Sequence, residues 1–304
     1  MSLSVLLTAL ELGLITSLVT MSLFLSYRML NVCDLSTDGV FTLGASVGGM
    51  IALSGHPLLS LCSALFSGAL SGGILSVLQC YLGIDSLLAG IIVNTALYSV
   101  NIFVMGNASV LNMNKTVTLF TLFRQLLAGT VLEPFSKVLL AVLFALLIAL
   151  TLSLFLKTRL GLAIRATGNN PIMVASSSIN PKRMTIIALC LSNALTALAG
   201  CLLAQMQKST NIDIGSGILT IALASLLIGR TLYHGNRIPM GIASGILGAI
   251  IFRIIYAIAL RFHMPAFMLK FISSLIVTLS IALPYLKKKY HLLEKPYAEN
   301  PTYQ

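Results

Sequence analysis

The sequence predicts an all-α protein, a polytopic membrane helical bundle with about nine spans and a broken helix after the first span. Two observations support this fold class. Of the 304 residues, 57% are hydrophobic and 9% are charged, whereas about a quarter of residues are charged in a soluble domain. The charge-free runs are also long, and several reach the roughly 20 residues that a helix needs to cross the hydrocarbon core. The composition therefore excludes a soluble globular protein.

The spans follow from the charge-free runs, taken in chain order. The first is predicted over residues 4–28 and is interrupted only by Glu11. Residues 39–84 contain no Asp, Glu, Lys or Arg, and His56-Pro57 divides them into two spans, because proline starts a new helix. The remaining spans are predicted over residues 86–104, 138–156, 184–207, 217–232, 238–260 and 264–286.

A polar segment, Asn31 to Thr42, follows the first span and is expected to break the helix. Within a bilayer, broken helices are tolerated only against protein or a water-filled cavity, so we expect this segment to line a pathway. Polar or aromatic side chains in neighbouring apolar runs extend the set of predicted pathway residues, which consists of Asn31, Asp38, Phe41, Asn94, Ser192 and Asn193. Interhelical hydrogen bonding or core packing explains each of these residues equally well.

Basic residues predict the orientation. The stretch 157–183 holds five Lys and Arg residues and no acid, and the tail opens with Lys287, Lys288 and Lys289, so both are expected to be cytoplasmic. The chain then divides into a membrane domain, residues 1–286, and a cytoplasmic basic tail, residues 287–304, with the N-terminus outside. The net charge of +11 is thus interpreted as a topology signal, and nucleic acid is not expected as a partner.

The segment 105–137 is expected on the outer side. Its apolar residues are spaced as on one face of an amphipathic helix that lies on the interface or caps the bundle: Leu119, Phe120, Leu122, Phe123, Leu126 and Leu127. Elsewhere, small residues four positions apart predict close helix packing: Gly44 and Gly48, Gly68 and Gly72, and Gly241 and Gly245.

The chain lacks an energy source of its own. No glycine is followed by lysine, so a phosphate-binding G-x-x-x-x-G-K-[ST] loop is impossible. No catalytic residues, metal ligands or bound cofactor are expected. Among the few intramembrane charges, Glu11 is the one acid available for a proton relay, which makes an ion-coupled carrier the weaker interpretation. Glu11 and Arg253 are expected to pair.

The segment Arg165 to Ile179 is a polar insertion between two strong spans. Asn170-Pro171 can begin a short helix and Pro181 limits it, which leaves room for roughly two helical turns parallel to the membrane. On physical grounds alone, a helix that docks on a partner and a plain connecting loop are equally good interpretations.

Three stretches of the chain resemble the permease subunits of bacterial ATP-binding-cassette importers, in the branch that includes branched-chain amino acid, ribose and nucleoside permeases. The likeness is greatest to small permeases associated with tryptophan or tyrosine import. The residues that carry it are, in the first stretch, Arg28, Leu30, Asn31, Asp34, Thr37, Asp38, Gly39, Phe41, Leu43 and Gly44; in the second, Ala166 to Gly168, Asn170, Pro171, Met173 and Ile179; and in the third, Leu191 to Asn193, Ala197 to Gly200, Ala204, Gln205, Gly215, Gly217, Leu223 to Ser225, Ile228 and Gly229.

The resemblance implies a homodimer of permeases in a bacterial plasma membrane, two copies of a separate ATPase that bind ATP and Mg²⁺, and an extracytoplasmic substrate-binding lipoprotein. It implies that 157–183 is a cytoplasmic coupling loop that contacts the ATPase through Arg165, Gly168, Asn169, Asn170, Pro171, Met173, Ala175, Ser178 and Ile179. An amino acid is the implied substrate, and the likeness to tryptophan and tyrosine permeases favours an aromatic one.

The sequence departs from the family pattern at five positions. Ser178 stands where glycine is usual, Ala175 where arginine is common, Asn169 where aspartate is common, Arg230 where an acid is common, and Val40 where serine is usual. A nucleoside or sugar importer of the same architecture and an ion-coupled carrier therefore stay open as alternatives.

Overall fold

The protein is described by a computed structural model over residues 3–129, 133–232 and 238–261, together with residues 271, 274, 275, 278, 279 and 282. This part of the chain is almost entirely helical, as the sequence predicts. Its elements are α1 Leu3–Leu23, which continues as a π-helical turn Phe24–Met29, α2 Thr37–Leu53, α3 Pro57–Cys80, α4 Ser86–Val104, β1 Val110–Asn112, α5 Leu119–Leu126, a 3₁₀ turn Glu133–Phe135, α6 Ser136–Lys157, α7 Arg159–Asn169, α8 Pro171–Ser176, α9 Pro181–Gln207, β2 Ser209–Asn211, α10 Ile218–Leu232 and α11 Ile238–Arg261.

Among the described residues, six helices are long and apolar enough to cross a membrane: Val5–Met29, Pro57–Cys80, Ser86–Val104, Glu133–Lys157, Pro181–Gln207 and Ile238–Ala259. The predicted spans 39–55 and 217–232 correspond to shorter apolar helices, α2 and α10, of 17 and 15 residues. At 1.5 Å per residue they extend about 25 and 22 Å, less than the roughly 30 Å hydrocarbon core. The predicted span 264–286 lies almost wholly outside the described residues, so the total of nine spans stays a prediction.

The helix α9 is the centre of the bundle and packs against α1, α2 and α3. Glycines on the neighbouring helices allow this close packing. A Cβ atom at Gly44 of α2 would meet the backbone of Ala197, and a Cβ atom at Gly72 of α3 would meet the backbone of Leu189. The predicted small-residue pairs therefore face α9, except those of α11: Gly241 faces Phe24 of the π-helical turn, and Gly245 faces Thr20 of α1.

A second group of helices, α10 and α11, packs on the other side of α1. Buried hydroxyl groups join α1 to α9. Ser22 Oγ lies 2.7 Å from Thr196 Oγ1 and 2.8 Å from Ser192 Oγ, and Ser192 Oγ donates to the Ser22 carbonyl at 3.0 Å. Within a bilayer no water is available to hydrogen-bond these polar groups, so bonds between helices satisfy them instead.

The segment before α6 folds back over the end of α9. The strands β1 and β2 pair antiparallel, with Leu111 opposite Thr210. The predicted amphipathic helix is confirmed as α5, where Thr118 and Thr121 form a capping box and the Leu119 amide donates to Gln205 Oε1 at 2.9 Å. This two-stranded sheet was not predicted, because strands of three residues are too short to show a period.

The predicted pair of Glu11 and Arg253 is wrong. No ion pair joins them in the described part of the chain, and the charge that acts on Glu11 is that of Lys137. The Arg253 guanidinium instead lies 5.7 Å from the centre of the Tyr256 ring. A buried guanidinium over an aromatic face is a recognised way of accommodating a cation without a carboxylate.

Candidate functional site

Asp38 joins the two short helices. It occupies the first turn of α2, and its carboxylate accepts hydrogen bonds from the amides of Gly217 at 2.9 Å and Leu219 at 2.8 Å, which open α10. The first amides of a helix have no partner within the helix, so a side chain from α2 here satisfies the N-terminus of α10. The positive ends of two helix dipoles thus meet at one carboxylate.

A cavity of about 330 Å³ opens beside Asp38, and we call it the polar cavity. Its walls come from the start of α2, from one face of α4 and from the segment that leads into α10. The lining residues are Asp38, Gly39, Thr42, Asn94, Thr95, Tyr98, Asn101, Ile212, Asp213 and Ser216.

The α4 wall of the polar cavity is fixed against α2 by amide side chains. Asn101 Nδ2 donates to the Gly39 carbonyl at 3.2 Å, and Ser46 Oγ donates to Asn101 Oδ1 at 3.4 Å. Gly39 allows this approach, since a Cβ atom there would lie 2.6 Å from Asn94 Oδ1. Short helices that meet end to end around a cavity are the arrangement by which membrane transporters hold polar substrates away from lipid.

The predicted pathway residues are placed in three environments. Asp38 and Asn94 line the polar cavity, while Asn31 lines a second cavity described below. Phe41, Ser192 and Asn193 are buried in the bundle and line neither cavity. For these three residues the structure shows the packing and interhelical contacts that the sequence left as the alternative.

Asn193 lies next to Asp34, a buried acid in the segment before α2. Burial raises the pKa of the Asp34 carboxyl, and hydrogen bonds from the Ser36 side chain and backbone, and from Asn193, oppose that shift. The Ser36 bonds are short, at 2.6 Å from the hydroxyl and 2.8 Å from the amide. The contact between Asp34 and Asn193 is looser, and Asp34 Oδ2 has no well-aligned donor among the described residues.

Sequence reasoning missed most of the polar cavity. Thr95, Tyr98, Asn101, Ile212, Asp213 and Ser216 line it and were not predicted. A signal was available on α4, since Asn94, Tyr98 and Asn101 are spaced i, i+4 and i+7 and so share one helix face. Asp213 carried a weaker signal as the single acid between α9 and α10.

The second cavity, of about 530 Å³, lies where the ends of α1, α7 and α10 meet the start of α11, and we call it the basic cavity. Arg28, Arg165 and Arg230 all line it. Asn31 and Asn169 add two amide side chains, and Phe24, Tyr27, Met29, Leu226, Leu227, Gly241 and Ser244 complete the described wall.

The predicted loop contains two short helices. Asn170 begins α8, as predicted, and its Oδ1 accepts from the amides of Ile172 and Met173, both at 3.1 Å. The end of α8 has the hydrogen bonds of a Schellman motif, from the Ser178 amide to the Ala175 carbonyl and from the Ile179 amide to the Val174 carbonyl. Ser178 has φ +61°, the left-handed conformation that explains why glycine suits this position.

One face of α8 is apolar and exposed. Val174 is buried, whereas Ile172 is 81% and Met173 62% exposed. The preceding helix α7 was not predicted. Gly168 lies within α7 and lets that helix contact the backbone of Met29 and Leu30 at the end of the π-helical turn.

The described residues contain no group of three or more His, Cys, Asp or Glu that could hold a metal ion. Residues Gly44 to Gly48 match the G-x-S-x-G pattern of hydrolases, but here the pattern lies inside α2. Ser46 is fully buried there, and its hydroxyl donates to the Leu43 carbonyl and to Asn101, so it has no nucleophile geometry.

Comparisons with known proteins agree with these features. The family model of the branched-chain amino acid transport system permease component matches residues 5–281. The chain is 31% identical over 271 residues to a tyrosine transport system permease protein of Clostridioides difficile, covering 89% of this chain and 88% of that protein. It is 32% identical over 237 residues to an uncharacterized protein of Rickettsia prowazekii, covering 77% and 79%.

A shorter match is to a probable ABC transporter permease protein of Escherichia coli, at 32% identity over 104 residues, 34% of this chain and 30% of that protein. No solved structure matches the chain.

Proposed function

This chain belongs to the family of branched-chain amino acid transport system permease components, a multi-pass membrane family of ABC transporter permeases, and from that premise we propose that it is the permease subunit of an ATP-driven amino acid importer. The proposed assembly is a homodimer in the bacterial plasma membrane. A separate ATPase, which binds ATP and Mg²⁺, lies on the cytoplasmic side, and a substrate-binding lipoprotein lies on the outer side. The chain itself supplies neither catalysis nor a bound cofactor.

The observation that carries this proposal is the exposed apolar face of α8. Ile172 and Met173 project from a helix that is capped at both ends, so the face is held in one conformation, and among the described residues both side chains are largely exposed. A rigid, unpartnered apolar face is typical of a site for another protein. We assign it to the ATPase, with the coupling role expected for Arg165, Gly168, Asn169, Asn170, Pro171, Met173, Ala175, Ser178 and Ile179.

A chain of contacts connects α8 to the polar cavity. Asn170 joins α8 to α7, and Gly168 of α7 contacts the backbone at Met29 and Leu30. From there the polypeptide continues through residues 31–36 to Asp38, whose carboxylate caps the start of α10. Movement of α8 with the ATPase would therefore shift the segment that positions the two short helices, a rigid-body switch between inward and outward states.

The polar cavity is the proposed substrate site, and its residues suit a small amino acid zwitterion. The carboxylates of Asp38 and Asp213 complement an ammonium group, and the amide side chains of Asn94 and Asn101 can bond a carboxylate. Tyr98 supplies an aromatic face. These features, with the relative named for tyrosine transport, support an aromatic amino acid as substrate.

The ATPase assignment is tested by adding a charge to the α8 face. In Met173→Asp, we expect the ATPase to be lost from the purified complex and substrate-stimulated ATP hydrolysis to fall at least tenfold, while the amount of protein in the membrane is unchanged. The matched control is Leu126→Asp, which places the same charge at an 82% exposed leucine of α5. An ATPase that stays bound and active with Met173→Asp would overturn the assignment.

The substrate assignment is tested separately with the cognate binding protein. Its thermal unfolding temperature is expected to rise with tyrosine, phenylalanine or tryptophan. A rise with nucleosides or sugars alone would replace the amino acid by those substrates without affecting the ATPase assignment.

A further inference from the structure

We propose that the basic cavity is a binding site for a phosphate-bearing anion, occupied by the headgroup of an anionic phospholipid. Three arginines reach it from separate parts of the chain, Arg28 at the end of the first span, Arg165 on α7 and Arg230 at the end of α10. Topology signals alone would leave basic residues scattered along the membrane surface, so their convergence on one cavity needs its own explanation.

No carboxylate balances these charges within the described wall of the cavity. Arg28 lies close enough to Arg230 to be affected by its positive charge. The ion pairs found among the described residues do not include any of the three arginines. A cluster of like charges with no counter-ion is stabilised when it binds an anion.

The donors around the cavity suit phosphate. Each guanidinium presents a planar fork that can bond two phosphate oxygens at once. The amides of Asn31 and Asn169 add neutral donors. Gly241, in the first turns of α11, also lines the cavity, so the positive end of that helix dipole faces the same space.

Irregular backbone builds the cavity. The first span ends in a π-helical turn, Phe24–Met29, which places both Tyr27 and Arg28 at the wall. Asn31 follows with φ +60°, a left-handed conformation that is uncommon outside glycine. Such departures from regular geometry cluster at functional sites, and here two of them occur within eight residues of one another at one cavity.

The apolar part of the wall indicates the source of the phosphate. Phe24, Tyr27, Leu226 and Leu227 line the cavity beside the arginines, and Tyr27 is exposed at its mouth. Free phosphate is not stabilised by contact with such an apolar surface. A phospholipid, by contrast, carries glycerol and acyl groups next to its phosphate, and these can pack on that surface. Basic pockets between membrane helices on the cytoplasmic side are known to hold anionic lipid headgroups. This inference does not depend on the identity of the transported substrate.

The test uses the purified full-length protein in uncharged detergent. Thermal unfolding is followed while phosphatidylglycerol, phosphatidylcholine or inorganic phosphate is added. Arg230→Gln is the main variant, because Arg230 is exposed and its loss leaves the packing intact. Arg230→Lys keeps the charge but not the fork, and Arg159→Gln removes an exposed arginine of α7 that does not line the cavity.

For the wild type, we expect a saturable rise in unfolding temperature with phosphatidylglycerol and none with phosphatidylcholine. Arg230→Gln should raise the half-saturating lipid concentration by about tenfold, Arg230→Lys by less, and Arg159→Gln not at all. A saturable, Arg230-dependent rise with inorganic phosphate alone would keep the phosphate site but overturn the lipid as its occupant.

Equal responses in Arg230→Gln and Arg159→Gln would mean diffuse attraction of lipid to a basic surface and would overturn the site. The absence of any response, together with loss of the ATPase from the Arg230→Gln complex, would assign the cavity to an acidic surface of that partner and would also overturn the proposal.

Discussion

The side chain of Asp38 links two helices. Both of its carboxylate oxygens accept amides from the start of α10 while the residue itself belongs to α2. Replacing it by alanine leaves those amides unpaired beside the polar cavity, where bonds to a charged group are worth about 1.5–3 kcal/mol.

We therefore predict that Asp38→Ala lowers the free energy of unfolding by about 2 kcal/mol and abolishes uptake. Thermal unfolding and substrate uptake measure the two effects. Asp85→Ala is the control, because Asp85 caps α4 through a single amide at 2.9 Å and lies away from both cavities. The control should lose about 1 kcal/mol and keep transport. Uptake that survives Asp38→Ala would contradict the role given to this residue.

Ser178 carries backbone strain that glycine would remove. Its φ of +61° places it in the left-handed region at the end of α8. We predict that Ser178→Gly stabilises the protein by about 1 kcal/mol, seen as a higher unfolding temperature. The neighbouring Ser177 has φ −88°, so Ser177→Gly should bring no gain. The strain argument is wrong if the two variants change stability alike.

The sequence predicted some residues of the polar cavity and not others, for a physical reason. Asp38 and Asn94 were predicted as pathway residues because a polar group in an apolar run needs a partner or a cavity, and both line the polar cavity. The same reasoning selected Ser192, which instead bonds Ser22 across the α1–α9 contact. The sequence shows that a polar group in an apolar run needs a hydrogen-bond partner. Only the packing shows whether that group bonds another part of the protein or lines a cavity.

At the scale of elements, the α3–α9 contact is set by small residues. Gly72 and Gly73 are adjacent in α3 and differ only in what they face. A Cβ atom at Gly72 would overlap the Leu189 carbonyl and approach Cys190, whereas at Gly73 the nearest atom is Cys190 Sγ at an ordinary 3.6 Å.

We predict that Gly72→Ala destabilises the bundle by about 1–3 kcal/mol, because the two helices must move apart. Gly73→Ala should be neutral or stabilising by up to about 1 kcal/mol, since alanine is the better helix former. Thermal unfolding in detergent separates the pair. Equal losses in the two variants would show that this contact does not depend on close approach at Gly72.

The sequence predicted where helices lie better than how far they extend. Proline at the first position of α3 and α8 marked their starts correctly, whereas Pro181, interpreted only as the limit of α8, opens α9. The helices α2 and α10 were predicted as spans, but at 17 and 15 residues they are shorter than the six helices that are long enough to cross a membrane. The cap of α10 by Asp38 is a contact across 179 residues, which no local pattern contains.

At the scale of the whole molecule, the chain combines a tightly packed centre with two polar openings. The centre is α9, buried along most of its length. The polar cavity lies at the junction of the two short helices, and the basic cavity at the ends of α1, α7 and α10. The resemblance at the sequence level gave the family correctly, while the two cavities emerge only when distant segments are brought together.

In the proposed function, this protein forms the membrane pathway, and a separate ATPase supplies the energy that opens and closes it. Uptake of the proposed aromatic amino acid into proteoliposomes tests this most directly, using the permease with and without its ATPase and binding protein. We predict uptake only when all three proteins are present and ATP is available to the ATPase. Uptake by the permease alone, driven by a proton or sodium gradient without ATP, would contradict the account.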